Sequence, residues 1–90
     1  MADMIVVYRV MPEDGEIEYS VLEEATKKVV EAYDENLKIK EIGPKEVGFG
    51  LKACSVKVQF DENLGSEPLE NQLNELPEVG DVVIELMDRL

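Results

Sequence analysis

The run Cys54-Ser55-Val56-Lys57-Val58-Gln59-Phe60 alternates apolar and polar side chains at strict period two. Successive side chains of a strand point to opposite faces, so this stretch specifies a strand with one face in a core and the other toward solvent. It also decides the meaning of the residues before it. Gly48-Phe49-Gly50-Leu51-Lys52-Ala53 spells G-x-G-x-x-A, a permitted form of the dinucleotide-binding fingerprint. A phosphate-binding glycine loop leads from a strand into a helix, whose first N–H groups face the anion. Here the glycines lead into a strand. The nucleotide reading is therefore rejected, and the pair is read as a hairpin corner around Phe49.

The remaining elements follow from their periods. Met4–Val10 is rich in β-branched residues, nearly continuous in apolar character and stopped by Met11-Pro12, which predicts a central first strand. Leu22, Ala25, Val29 and Tyr33 recur at helical spacing, and Ser20 followed by Glu23 predicts a capping box with Ser20 as N-cap. Leu37–Lys40 alternates as a second strand, disturbed at Ile42-Gly43-Pro44. Leu69, Leu73 and Leu76 predict a second helix stopped by Pro77, Val79-Gly80 a turn, and the alternating Val82, Ile84 and Leu86 a last strand. The order β-α-β-β-α-β predicts an α+β ferredoxin-like sandwich, one domain over residues 1–90, with two helices on one face of a four-stranded antiparallel sheet.

Charge narrows the function. The formal net charge is −12, which argues against a general nucleic-acid surface. The only net-positive segment is 38–57, where Lys38, Lys40, Lys45, Lys52 and Lys57 face two glutamates. It contains the glycine corner. The chain has no histidine, which removes the commonest general base and zinc ligand, and a single cysteine, Cys54, which precludes an internal disulfide. Cys54 is expected to be a small buried hydrophobe, since it shares the apolar parity of its strand. The start MADMIVVYRV has no basic leader and no run reaches membrane-helix length, so a cytosolic protein without membrane contact is expected. Glu13, Asp14, Glu16 and Glu18 are read as a solvated acidic loop, and Asp61-Glu62-Asn63 as a turn.

The segment Ile42-Gly43-Pro44-Lys45-Glu46-Val47-Gly48-Phe49-Gly50-Leu51-Lys52-Ala53 resembles the signature of the archaeal elongation factor 1-beta family. The first strand ending in Met11-Pro12-Glu13, the Glu67-Pro68-Leu69-Glu70 segment and a penultimate basic residue, Arg89, extend the resemblance along nearly the whole chain. The resemblance implies a guanine-nucleotide exchange factor for the GTPase elongation factor 1-alpha, with no cofactor of its own and monomeric when free. It implies that Phe49 packs on the GTPase, flanked by Gly48, Gly50, Lys45 and Lys52. It implies also that Arg89, where relatives carry lysine, reaches the GTPase's magnesium site. A guanidinium is a planar fork and an ammonium a compact charge, so the two are not equivalent.

From residue type alone, Phe49 is open to two readings, a core aromatic folded over the sheet edge or an exposed anchor. Two other functions fit the same sandwich, an acylphosphatase-like hydrolase and a ligand-sensing regulatory domain. The first wants an arginine in a glycine-rich phosphate cradle, which MPEDG does not provide, and the absent histidine weakens the second for soft metals.

Overall fold

The computed structural model describes residues 2–48 and 50–90. The elements run β1 (Asp3–Pro12), α1 (Tyr19–Tyr33), β2 (Lys38–Gly48), β3 (Leu51–Asp61), a 3-10 turn at Glu62–Leu64, α2 (Glu67–Asn74) and β4 (Val79–Arg89). The strands form one antiparallel sheet in the order β2-β3-β1-β4, with the two helices packed on one side. This is the ferredoxin-like arrangement that the element order predicts.

The core lies between sheet and helices. Met4, Val6, Tyr8 and Val10 of β1 and Cys54, Val56, Val58 and Phe60 of β3 turn the same way, against Leu22 and Val30 of α1 and Leu69 and Leu73 of α2. Val29, Leu76 and Ile84 pack around it half-buried. Tyr33 of α1 meets Phe60 edge-to-face at 5.8 Å between ring centroids, a favoured aromatic geometry. The opposite sheet face is not covered by any helix and carries Ile5, Val7, Arg9, Ser55, Lys57 and Gln59.

Four local expectations are corrected. Helix α1 starts at Tyr19, its N-cap is Glu18, and Ser20 lies inside it without capping. Glu23 is the reason: its carboxylate accepts a hydrogen bond from the Tyr19 hydroxyl at 2.7 Å instead of reaching back along the helix. Helix α2 ends at Asn74, so Leu76 packs from the segment beyond it. Strand β2 runs unbroken through Gly43-Pro44, because it is an edge strand and a missing N–H there faces solvent rather than a ladder. Finally, Gly80 lies within β4, at an irregularity where Met11 pairs with Asp81 and Pro12 with Val79. A second irregularity lies further along β4: Val7 pairs with Leu86 and Tyr8 with Ile84, leaving Glu85 unpaired. That bulge puts Leu86 on the uncovered face with Val7, while Met87 returns to the helix side beside Ser66.

Candidate functional site

The corner between β2 and β3 is built by backbone geometry. Gly48 pairs with Leu51, and Gly48 and Gly50 have φ of 97° and 74°, values that side chains with a Cβ disfavour. Phe49 lies outside the described residues. Lys45 pairs with Ala53 and Glu46 with Lys52, so the two lysines border the corner on different strands. Lys52 is exposed and, with Pro12, Asp14, Tyr19 and Gly50, lines a cleft of about 260 Å³ against the acidic loop. That volume is below the range of ordinary small-molecule sites. Lys45 donates to Glu85 Oε2 at 2.6 Å, and Arg9 Nη1 lies 3.7 Å from the same oxygen.

Arg89 lies elsewhere. It pairs with Met4 at the far end of β1, where Leu90 N donates to the Asp3 carbonyl at 3.0 Å and holds the chain end on the sheet. Its side chain is 80% exposed, with Nε 3.0 Å from Glu62 Oε2. Glu62 is itself held by a bond from its N–H to the Ala2 carbonyl. A cleft of about 720 Å³ beside it has Met4, Met87, Ser66 and Glu62 in its walls. The register places Arg89 and the corner at opposite ends of the sheet, on the order of 30 Å apart along the strands. The molecule measures 42 × 21 × 17 Å. The sequence-predicted residues that the structure describes thus lie in two groups, one per end, not in one.

Other groups offer little reactive chemistry. Cys54 is fully buried, and burial pushes its thiol up to about 11 although the Tyr19 hydroxyl, 3.8 Å from Sγ, acts in the opposite direction. Such a thiol is a poor nucleophile at neutral pH. Among the described residues, no group of three or more His, Cys, Asp or Glu is arranged to hold a metal ion, and no helix is long and apolar enough to cross a membrane. Tyr8 and Phe60 face the helices, so among the described residues the uncovered strand face carries none of the base-stacking rings that RNA-binding sheets use.

Residues 5–90 match the EF-1 guanine nucleotide exchange domain. The chain belongs to that family. Among curated relatives, elongation factor 1-beta of Desulfurococcus amylolyticus is 34% identical over 92 residues, covering 100% of this chain and 99% of the relative. Those of Staphylothermus marinus and Methanosphaera stadtmanae are each 35% identical, again with 100% and 99% covered. A solved structure titled BlrP1 BLUF superposes with a TM-score of 0.54 at 18% identity, over all of this chain and 56% of that one, a likeness of fold alone. Membership in the exchange-domain family supports a role in nucleotide exchange during translation elongation.

Sequence reasoning missed Arg9 and Glu85. The available signal was Ile84-Glu85-Leu86-Met87, where two consecutive apolar residues break the alternation of the last strand and betray the bulge.

Proposed function

We propose that this chain, as a single domain over residues 1–90, is a guanine-nucleotide exchange factor for elongation factor 1-alpha, not an enzyme with covalent chemistry of its own. The observation that carries the reading is the match of the exchange domain to residues 5–90. The geometry is compatible with it. Lys45, Lys52, Gly48 and Gly50 form the anchoring end, to which the family resemblance adds Phe49, and Arg89 the acting end, so one GTPase is gripped at two regions on the order of 30 Å apart.

Bound GDP is held partly by Mg²⁺ bridging its phosphate oxygens to the GTPase. A cation delivered into that site competes with the metal and weakens nucleotide binding. Arg89 suits the task because the anchored end of β4 limits its wandering while its side chain stays largely in solvent. In its pair with Glu62 the arginine is exposed and the glutamate half-buried, so it is Arg89 that can swing away to a partner's phosphate or carboxylate. By linkage, nucleotide weakens the factor's hold on the GTPase by the same ratio, and entry of GTP expels it. The hydrolase alternative has no comparable support: Arg9 sits in mid-strand, beside Glu85.

The test is release of labelled GDP from purified archaeal elongation factor 1-alpha, with and without this protein. Stimulated release is expected. Arg89→Ala should slow it with little change in complex affinity, Arg89→Lys should keep most of it, and added Mg²⁺ should reduce the wild-type effect more than the mutant's. Full activity in a chain truncated after Asp88 would remove Arg89 from the mechanism.

A further inference from the structure

Lys45 lies on β2 and Glu85 on β4, the two outer strands of the sheet, with β3 and β1 between them. Three interstrand steps amount to roughly 14 Å on a flat sheet, and the register offsets the two residues by roughly a further 12 Å along the strands. Side chains that stand off a sheet meet across that span only where the sheet curls toward them. The bulge at Glu85 supplies a bend, since the unpaired residue sharpens the local twist of β4 and turns its carboxylate over the uncovered face. Two further observations show a closed contact. The Glu85 side chain is 23% exposed although it sits on an edge strand, and Ala53, the register partner of Lys45, is fully buried on the uncovered face. Arg9 lies beneath, with Nη1 toward Glu85 and its Nε buried and without a hydrogen-bond partner among the described residues.

We infer that Glu85 is a positioning residue: its carboxylate straps Lys45 to Arg9 across the uncovered sheet face and fixes the pose in which the β2–β3 corner meets the GTPase. The strap acts through Lys45, on the stem of the corner and three residues before Gly48. Without it, the corner end of the β2–β3 hairpin is held only by the ladder to β1 and by the packing of β3 under α1, and full ordering of the corner is deferred to the binding step. Ordering deferred in this way lowers affinity and leaves the later steps of exchange unaltered. This inference rests on the exchange-factor reading.

Glu85→Gln keeps the shape and removes the charge. In the free protein, amide hydrogen exchange at residues 45–48 and 50–53 is expected to accelerate about fivefold, the upper range for loss of one surface ion pair, with helix α1 unaffected. In the GDP-release assay, the half-saturating concentration of the factor should rise by about the same factor while the saturating rate stays at the wild-type value. Unchanged corner amides would overturn the inference, whether or not binding weakens, because Glu85 would then act by touching the partner or not at all. A loosened corner with unchanged half-saturation would overturn it equally, leaving a strap of structural value only. No stimulation by the wild-type chain would instead overturn the exchange reading, and the hydrogen-exchange result, which needs no partner, tells that failure apart from the absence of a strap.

Discussion

Gly48, Gly50 and Gly80 are required for different reasons, and substitution should separate them. A Cβ at Gly48 or Gly50 would meet nothing within 4 Å, so the cost of alanine is the left-handed backbone alone, about 1–2 kcal/mol. A Cβ at Gly80 would lie 2.9 Å from the Pro12 carbonyl oxygen and 3.1 Å from Glu13 Cα, backbone atoms with no freedom to swing aside. Gly80→Ala should therefore force β4 from the end of β1 at a cost of about 1–3 kcal/mol. Asparagine tolerates the left-handed region, so Gly48→Asn should recover part of the alanine loss, whereas Gly80→Asn should recover none. Denaturant unfolding of the four variants measures this; equal behaviour at both sites would refute the distinction.

Cys54 gives a residue-scale dependence on pH. Its thiol rises from an ordinary 9.0 to about 11, chiefly by burial. Below about pH 9 both folded and unfolded chains hold the proton and the thiol contributes no slope. Between about pH 9 and 11 the unfolded chain loses its proton while the folded one keeps it, so stability falls with rising pH, by on the order of 2 kcal/mol. Buried Tyr8 and half-buried Tyr19 are raised as well, mainly by burial, and extend the fall to still higher pH. Cys54→Ala should flatten the first part of the curve. An unchanged curve in that variant would assign the whole slope to the tyrosines.

At the scale of elements, two tyrosines tie the loop before α2 to the rest of the fold. Tyr8 of β1 donates to the Ser66 carbonyl at 2.8 Å, and Tyr33 of α1 points its hydroxyl at the Leu64 and Gly65 carbonyls, 2.8 Å from each. Tyr8→Phe removes one of two donors from that carbonyl, which keeps the Glu70 N–H at 3.1 Å, and should cost about 0.5–1.5 kcal/mol. In a chain of this size each kcal/mol lowers the melting temperature by roughly 4–8 °C, well within calorimetric reach. Elements of this kind are legible in the sequence wherever one period holds: β1, α1, β3 and α2 are all announced by their apolar spacing. The hidden features depend on neighbours. The reach of β2 past Pro44 depends on its being an edge strand, the start of α1 on the bond between Tyr19 and Glu23, and the facing of Leu86 on a bulge. The candidate site is half legible, since the sequence names Lys45, Lys52 and Arg89 but not the separation that only register supplies.

At the scale of the molecule, length is what matters. Lys45 and Lys52 sit at one end of a body 42 Å long and Arg89 at the other. Sites farther apart than about 10 Å and without shared partners contribute additively. Lys52→Ala should weaken GTPase affinity in a salt-sensitive way, Arg89→Ala should slow GDP release from the saturated complex, and the double variant should show the product of the two defects. A defect no larger than that of either single variant would mean that both residues act in one step. Titration of factor into labelled GTPase at two salt concentrations distinguishes these results.

Both outer strands are irregular, and the irregularity bears on crowding. Strand β2 carries Gly43-Pro44 and loses register around Lys40 and Val47, while β4 is interrupted at Gly80 and Glu85. An unpaired strand edge is a template on which another chain can polymerise, and it is blunted by proline, lysine and bulges. Each open edge of this sheet therefore offers only short stretches of even ladder to a neighbour. Borders interrupted in this way disfavour growth of the sheet by edge-to-edge pairing with further copies of the chain.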